Sequence, residues 1–423
     1  MKLYLRTFGC RANQYDSEAV RAMVEGAGGA VVDRPEEADV ALFNSCAVTA
    51  EAEADLRQQV RRAARANGRL TSVVMGCAAA LSRAAAAIRE LPTVDNVVGG
   101  ADLDLVARAL GLPPATAPRS GAQTGARALL RIQDGCDEHC TFCATTLARG
   151  ANRSRPAGEL VAEALRLSER HPEIVLTGVH IGSYGHDSGS SLGALVERLV
   201  SEVPAVRFRL SSIEATEVDD RLRALLRGDA ARVAPYLHAP LQSGADRVLR
   251  RMGRHWYTAA RYARAVEQVA GGLAVFGLGA DVIAGFPGET EAEHAATLAL
   301  VAELPFTALH VFPYSPRPGT AAERLAERVD PATVARRARE LRAAGREKGA
   351  AHERRREGGE ADVVVVGEGE RRAGLTEDYL SVSLAAPLPP RGSRWRGRLV
   401  RDPAGGSDAR LVAVPLPFSV PRR

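Results

Sequence analysis

Short apolar runs alternate with longer amphipathic stretches over the first hundred residues of the chain. Three of these runs are typical of buried strands, at 2–7, 39–43 and 71–75. Helices are predicted over 17–25 and 50–66, after the capping residues Asp16, Ser17 and Thr49. Alternating strands and helices predict a parallel sheet with helices on its faces.

The same alternation resumes near residue 128 and continues to about residue 315. Helices are predicted between the strands, for instance over 157–170 and 258–269. Six strands are predicted, at 128–133, 173–177, 206–211, 235–240, 274–283 and 307–312. Six units are too few for a closed eight-stranded barrel. They predict an open six-fold (β/α) barrel with ligands at the carboxyl ends of its strands.

The pattern becomes all-β after a helix predicted over 330–357. Short strands separated by Gly and Pro turns predict a small OB-like barrel, with strands at 361–366, 380–384, 396–400 and 409–414. We therefore predict an N-terminal α/β domain over 1–112, a linker over 113–127, a barrel domain over 128–357 and a β domain over 358–423.

Composition indicates a globular protein that is not embedded in a membrane. No apolar run reaches the roughly 18 residues that span a bilayer, and the charged N-terminus lacks a cleavable signal pattern. These features predict a cytoplasmic protein. The net charge of +5 favours, weakly, an anionic partner such as RNA. The predicted helix over 330–357 is rich in arginine, which leaves open a solvated face or a phosphate-binding face.

Six cysteines fall into two sets of three. Cys136, Cys140 and Cys143 (the loop triad) have C-x3-C-x2-C spacing on the loop after the first predicted barrel strand. Soft thiolates this close together indicate a metal site. Three thiolates can hold three irons of a 4Fe–4S cluster and leave the fourth iron open to a substrate. A zinc site is the alternative, with His139 or a remote residue as the fourth ligand.

Cys10, Cys46 and Cys77 (the strand-end triad) are far apart in sequence, but each lies just past the end of a predicted strand. The carboxyl ends of parallel strands share one edge, so these cysteines are predicted to converge. Helix N-termini nearby would favour their thiolates. A second three-cysteine cluster site is therefore predicted, although each cysteine taken singly is typical of an inert buried residue.

The loop triad resembles the radical S-adenosylmethionine (SAM) enzymes, and the whole chain resembles the radical SAM methylthiotransferases. Its three blocks match in order: an N-terminal three-cysteine domain, a radical SAM barrel and a C-terminal TRAM-type β-barrel. Within that family it is most similar to the MtaB type, which acts on threonylcarbamoyladenosine in tRNA. The matching segments are 7–14, 44–49, 133–136, 211–214, 240–244, 285–290, 313–320 and 374–379.

This resemblance implies a function for each triad. The loop triad would hold the 4Fe–4S cluster that cleaves SAM, and the strand-end triad would hold an auxiliary 4Fe–4S cluster carrying the sulfur. The product would be a methylthio group at carbon 2 of the modified adenosine 3′ to the anticodon. The implied partners are tRNA, through its anticodon loop, and an electron donor such as a flavodoxin or ferredoxin, but not DNA.

Candidate SAM-binding residues lie at the predicted strand ends: Thr177, Gly178, Ser212, Glu214, Gln242 and Gly285. Glu214 could instead form a surface salt bridge, and the glycines could only serve turns. The substrate's carboxylate requires a paired cation where it is buried. The candidates are Arg149, Arg153 and Arg155, with structural or phosphate contacts as the alternative.

Three other functions remain compatible with these patterns. A sister enzyme acts on isopentenyladenosine in tRNA, and another acts on an aspartate of a ribosomal protein. The third is a non-catalytic iron–sulfur protein that binds RNA or scavenges metal with a vestigial barrel. Gln133-Asp134 before the loop triad and the stretch 46–49 favour the threonylcarbamoyl subgroup over the two sister enzymes.

Overall fold

A computed structural model of the chain describes residues 1–113, 123–402 and 411–416. Most of the predicted linker over 113–127, and the first two residues of the strand predicted at 409–414, lie outside these residues. Among the residues described, no helix is both long enough and apolar enough to cross a membrane.

The N-terminal region is a five-stranded parallel sheet with strand order β2-β1-β3-β4-β5. Its strands are β1 (Lys2–Thr7), β2 (Ala30–Val32), β3 (Val40–Ser45), β4 (Thr71–Gly76) and β5 (Val94–Gly99). Its helices are α1 (Arg11–Gly26), α2 (Ala50–Ala66), α3 (Cys77–Ala80), α4 (Ser82–Arg89) and α5 (Leu103–Ala109). Successive residues of β3 and β4 enter separate apolar clusters on the two faces of the sheet, so helices cover both faces as predicted.

Helix α1 begins at Arg11, earlier than the predicted start at residue 17. The predicted capping residues lie inside the helix and are buried, where Ser17 bonds to Thr7 and Asp16 pairs with Arg149 of the barrel. The prediction that these residues cap the helix is therefore wrong, because their polar side chains make tertiary contacts instead. Helix α2 matches its prediction, and Thr49 caps it by accepting a hydrogen bond at 3.2 Å.

The central region contains two three-stranded parallel sheets, β10-β9-β6 and β11-β12-β13. Its strands are β6 (Ala128–Arg131), β7 (Gln133–Asp134), β8 (Arg153–Ser154), β9 (Glu173–Thr177), β10 (Arg207–Leu210), β11 (Tyr236–His238), β12 (Gly277–Ala284) and β13 (Ala308–Pro313). Its helices are α6 (Thr145–Arg149), α7 (Ala157–Ser168), α8 (Leu192–Glu202), α9 (Asp220–Arg227), α10 (Asp246–Arg251), α11 (Ala259–Ala270), α12 (Glu291–Glu303) and α13 (Pro331–Arg356).

Isolated parallel bridges join the two sheets into one curved wall, between Phe208 and Val233 and between Ser212 and His238. Within the described ranges neither β6 nor β13 pairs with a further strand at its outer edge, so the barrel is open, as predicted. Alternate residues of β10 and β12 pack outward against the helices. The polar residues between them face the barrel interior, following the two-residue period of a strand.

The last strands form a closed barrel with order β14-β15-β16-β18-β17, which confirms the predicted small β-barrel. They are β14 (Glu360–Val366), β15 (Ala373–Leu375), β16 (Ser381–Leu384), β17 (Arg394–Arg401) and β18 (Leu411–Pro415). Strand β15 was not predicted, because three residues that include a glycine carry almost no strand periodicity.

The loop between β15 and β16 is buried against the amino-terminal end of the central barrel. Arg209 donates to the carbonyl oxygens of Glu377 at 3.0 Å and Thr376 at 2.9 Å. Glu173 accepts hydrogen bonds from Arg207 at 2.6 Å and from Arg209 at 2.8 Å, and all three charged side chains are buried. The loop, part of the segment 374–379 that resembles the TRAM pattern, therefore closes one end of the barrel.

Helix α13 has both buried and exposed arginines. Arg337 pairs with Glu289 at 2.8 Å, and Arg356 pairs with Glu377 at 2.8 Å; both arginines are buried. These two guanidinium groups hold the helix in place. The exposed arginines of this helix are Arg339, Arg342, Arg346, Arg354 and Arg355.

Candidate active site

The loop triad lies on the segment after β7, which backbone contacts hold on both sides. Cys136 N donates to Gly150 O at 3.0 Å, and Thr141 N donates to Met252 O at 2.8 Å. The residue before the triad, Gly135, has a φ of +74°. A Cβ atom there would lie 1.8 Å from a backbone carbonyl oxygen, so only glycine fits at this position.

Two side chains that can carry positive charge approach the sulfurs of the loop triad. His180 Nδ1 lies 3.7 Å from Cys136 Sγ, and Arg254 Nη1 donates to Cys140 Sγ at 3.5 Å. A backbone N–H donates to Cys143 Sγ at 3.3 Å. Charge-assisted donors of this kind stabilise thiolates and are common around metal-bound sulfur.

The strand-end triad gathers at the carboxyl edge of the N-terminal sheet. Cys10 precedes α1, Cys46 follows β3, and Cys77 is the first residue of α3. Asn13 Oδ1 accepts from Cys77 Sγ at 3.8 Å and from Cys10 Sγ at 4.0 Å. The Asn13 amide group donates in turn to Ser45 O at 2.8 Å. One asparagine side chain thus links two of the cysteines to the end of the strand that precedes the third.

Burial makes free thiolates unfavourable in both triads. It raises the pKa of Cys140 to about 12 and that of Cys46 to about 11, and it raises the pKa of Cys77 as well. A coordinated metal deprotonates thiols outright, so these sulfurs suit metal ligation. In the part of the chain that is described, no three cysteine sulfurs lie within 4.8 Å of one another. Each triad offers three thiolates, the donor set with which proteins hold a 4Fe–4S cluster.

Helix α6 joins the two triads directly. It starts just after Cys143 and ends at Arg149, whose Nε donates to Cys77 Sγ at 3.3 Å. The guanidinium also pairs with Asp16 at 2.8 Å and with Asp134 at 3.2 Å. Five helical residues therefore set the separation of the two cysteine sites, and Arg149 fixes the barrel to the N-terminal sheet.

The candidate SAM-binding residues lie at the carboxyl ends of the barrel strands. Thr177 is buried at the end of β9, and Ser212 forms one of the two bridges between the sheets. Glu214 is buried and accepts a hydrogen bond from Arg254, which contacts Cys140. The second oxygen of Glu214, Oε2, is buried without a hydrogen-bond donor among the described residues. An unpaired buried carboxylate oxygen beside the loop triad suits a ligand with N–H or O–H groups.

Close packing or an unusual backbone conformation is found at each of the other three SAM-binding candidates. A Cβ atom at Gly178 would lie 2.8 Å from Gln133 Oε1, and one at Gly285 would lie 2.4 Å from Val334. Gln242 has a φ of +60°, in the left-handed region. Tight packing therefore accounts for both glycines, and their contact with SAM stays a prediction.

The three arginine candidates line one cavity of about 650 Å³. They differ in how exposed they are and in whether a carboxylate already pairs with them. Arg149 is buried and paired, and Arg155 pairs with buried Glu163 at 2.8 Å. The Arg153 side chain is 61% exposed and donates to the carbonyl oxygen of Arg149 at 3.1 Å, and the carboxylate of Asp134 lies 3.9 Å away. Of the three, Arg153 has the most available guanidinium, and a substrate contact by any of them stays a prediction.

Sequence reasoning missed three residues that touch the sulfurs: Asn13, His180 and Arg254. His180 follows the end of β9, so the strand-end rule could have found it. Asn13 lies one helical turn after Cys10, a spacing that became informative only once α1 was known to start at Arg11. Arg254 follows α10, and no sequence pattern marks it.

A hydrogen-bonded trio lies on the inner wall of the barrel. His238 Nε2 donates to Asp281 Oδ1 at 3.0 Å, and His310 Nδ1 lies 3.3 Å from the same oxygen. Tyr236 OH forms a hydrogen bond with His238 Nδ1 at 3.2 Å. These polar groups come from β11, β12 and β13 and make the interior of this half of the barrel hydrophilic.

Residues 2–99 match the model of Uncharacterized protein family UPF0004, and residues 130–301 match that of the radical SAM superfamily. The threonylcarbamoyladenosine tRNA methylthiotransferase MtaB of Thermotoga maritima is 36% identical over 338 residues, covering 76% of each chain. Its Bacillus subtilis counterpart is 37% identical over 348 residues, covering 77% of this chain and 76% of that one. The tRNA-2-methylthio-N6-dimethylallyladenosine synthase of Cereibacter sphaeroides is 33% identical over 425 residues, covering 92% and 97%.

Among solved structures, the radical SAM methyltransferase TsrM of Kitasatospora setae has a similar fold, with a TM-score of 0.55 at 14% identity. That likeness covers 73% of this chain and 72% of TsrM, and it concerns the fold alone. The relatives, the two matched family models and the two cysteine triads all indicate the same family. The chain belongs to the radical SAM methylthiotransferase family.

Proposed function

We propose that this enzyme adds a methylthio group to carbon 2 of N6-threonylcarbamoyladenosine, 3′ to the anticodon of tRNA. The observation that carries the proposal is the pairing of two three-cysteine sites through α6, within a chain similar to two MtaB enzymes. Forming a carbon–sulfur bond at an unactivated ring carbon requires both a radical source and a sulfur donor, and two adjacent sites supply both.

Membership in the family implies SAM and iron–sulfur chemistry. We propose one 4Fe–4S cluster on each triad, with the loop-triad cluster and SAM supplying the radical and the strand-end cluster supplying sulfur. The chain's own part is to hold SAM beside Cys140. Glu214, fixed by Arg254, offers its unpaired oxygen to the SAM amino group, and Thr177 and Ser212 lie at the neighbouring strand ends.

The environment of Gly9 allows one test of the strand-end cluster. Gly9 has a φ of +90°, and a Cβ atom there would lie 2.5 Å from Cys46 Sγ. Gly9→Ala should displace that sulfur and reduce bound iron from about eight to about four per chain. SAM cleavage should persist. The matched control is Gly28→Ala, where φ is +78° but no atom lies within 4 Å. Iron analysis after anaerobic reconstitution checks this, and full iron retention in Gly9→Ala would count against Cys46 as a ligand.

The second candidate substrate is dimethylallyladenosine, also called isopentenyladenosine. It is favoured by the Cereibacter sphaeroides synthase, whose similarity extends over more of this chain than that of the MtaB enzymes. The two substrates differ chemically, because threonylcarbamoyladenosine carries a carboxylate and dimethylallyladenosine carries an apolar tail.

Reconstituted enzyme should therefore be given purified tRNA of each kind with SAM and a reductant, and the nucleosides analysed by mass spectrometry. We expect methylthiolation of the threonylcarbamoylated tRNA alone. Product only from the dimethylallylated tRNA would replace the proposed substrate. Absence of SAM cleavage with both tRNAs would instead favour the hypothesis of a non-catalytic iron–sulfur protein.

We further propose that the chain acts in the cytoplasm, receives electrons from a flavodoxin or ferredoxin, and is divided at the domain boundaries predicted from the sequence.

The exposed arginines of α13 and the C-terminal barrel would contact the tRNA backbone rather than DNA. Phosphate contacts of this kind predict binding that weakens steeply as salt rises.

A further inference from the structure

A substrate carboxylate within the barrel requires a cation that is not already neutralised. Arg149 and Arg155 are paired with carboxylates, and so is Arg131, which contacts Asp16. Arg153 is mostly exposed to solvent, where a single charge contact contributes little. The need for a cation that binds this carboxylate rests on the proposed function above.

Arg11 differs from these residues. It directly follows Cys10 and is half-buried at the first turn of α1. Its Nη2 donates to the hydroxyl group of Tyr379. Among the described residues, no carboxylate oxygen lies within salt-bridge distance of its guanidinium. An arginine beside the strand-end triad therefore keeps its charge without a carboxylate partner.

The charge of Arg11 reaches the barrel interior. A hydrogen bond to Asp281 raises the pKa of His310 above its usual value, and the positive charge of Arg11 opposes that rise. Burial alone would raise the pKa of Tyr379, but Arg11, Arg127 and Arg209 hold it below its usual value. Arg11 therefore contributes positive charge to the part of the interior where His310 and Tyr379 lie. Asp281 does not offset it, because both histidines already share its oxygen.

Arg11 also lines a cavity of about 400 Å³ between α1, the inner faces of β6 and β9, and the C-terminal barrel. Four arginines line this cavity, but Glu18 is its only carboxylate among the described residues. The other three arginines pair with carboxylates: Arg21 with Glu18 and Glu25, Arg127 with Glu173, and Arg391 with Glu368. Among the described residues, Arg11 is the one of these four arginines that has no carboxylate partner.

We propose that Arg11 is the specificity-determining residue that binds the carboxylate of the threonylcarbamoyl group. The reacting carbon must approach sulfur held at the strand-end triad, and Arg11 is adjacent in sequence to one of those cysteines. Carbon 2 and carbon 6, which carries the N6 substituent, belong to the same six-membered ring and are separated by one ring nitrogen. Placing carbon 2 at the sulfur therefore brings the substituent close to α1, where the planar guanidinium can form two hydrogen bonds to its carboxylate.

The test uses full-length reconstituted protein and anticodon stem-loop RNA carrying threonylcarbamoyladenosine or unmodified adenosine. Arg11→Gln should weaken binding of the modified RNA at least tenfold, about 1.4 kcal/mol. Binding of the unmodified RNA should not change. Arg11→Lys should recover part of the loss, because it keeps the charge but not the bidentate geometry.

Two controls separate recognition from packing. Tyr379→Phe removes only the hydroxyl group that Arg11 contacts, so it tests whether docking of the C-terminal loop explains the effect. Arg21→Gln removes a paired arginine from the same helix and the same cavity. Both variants should bind the modified RNA with an affinity within about twofold of that of the unaltered protein. The loss of a charge-assisted pair would reduce the affinity much more.

Equal losses for both RNAs, or a Tyr379→Phe effect as large as that of Arg11→Gln, would overturn the proposal. An Arg11→Gln protein that still binds and methylthiolates the modified RNA normally would overturn it as well, while leaving the proposed function intact. If the unaltered protein itself does not act on threonylcarbamoyladenosine, it is the proposed function that fails.

Discussion

Cys140→Ala is expected to abolish SAM cleavage and methylthio transfer together, whereas Cys10→Ala should abolish only the transfer. The reason is the division of the six cysteines into two sites that share no ligand. Losing one thiolate from a three-thiolate cluster site leaves too few protein ligands to hold the cluster. Bound iron should fall from about eight to about four per chain in each variant, but from different sites.

Anaerobic measurement of iron, of 5′-deoxyadenosine formation and of modified nucleoside would check both variants side by side. The informative result is the Cys10→Ala protein, because its loop triad is intact. A folded Cys10→Ala protein that no longer cleaves SAM would contradict the division of labour. Substantial zinc with little iron in the unaltered protein would contradict the clusters themselves.

Arg149→Met should destabilise the apoprotein by about 3 kcal/mol, the lower end of the cost of breaking a buried ion pair. The lower end applies because Arg131 remains beside both Asp16 and Asp134. The change also removes the donor at Cys77 Sγ, so auxiliary iron should be lost more readily. The variant is therefore expected to fail in stability and iron content rather than in choice of substrate.

Urea denaturation of the apoprotein measures the first effect, and iron retention during dialysis against a chelator measures the second. Arg153→Met is the matched control, because its side chain is 61% exposed and should change stability by no more than about 0.5 kcal/mol. An Arg149→Met protein of normal stability that had lost only its activity on threonylcarbamoyladenosine would instead make Arg149 a substrate-binding residue.

The fold was largely predictable because its strands have clear apolar patterns and parallel pairing constrains where they end. Because the carboxyl ends of parallel strands share one edge of a sheet, the sequence also predicted that the strand-end triad would gather at such an edge, as it does. The network around the sulfurs was not predictable, since Arg254 and Asn13 act through contacts that depend on loop paths and on the start of α1. The arginine candidates had the right chemistry, but sequence alone could not show that Asp16 and Glu163 already neutralise two of them.

The buried loop between β15 and β16 has a consequence for how the chain is made. Arg209 lies in the middle of the barrel wall, but two of its hydrogen-bond acceptors belong to residues synthesised much later. While the ribosome is still translating α13, the barrel has its guanidinium groups without those partners. A nascent barrel of this kind is incomplete and prone to misassembly. We therefore expect productive folding of the barrel to be completed only once the β domain has been synthesised, which would make the C-terminal segment a late-acting partner in the biogenesis of the barrel.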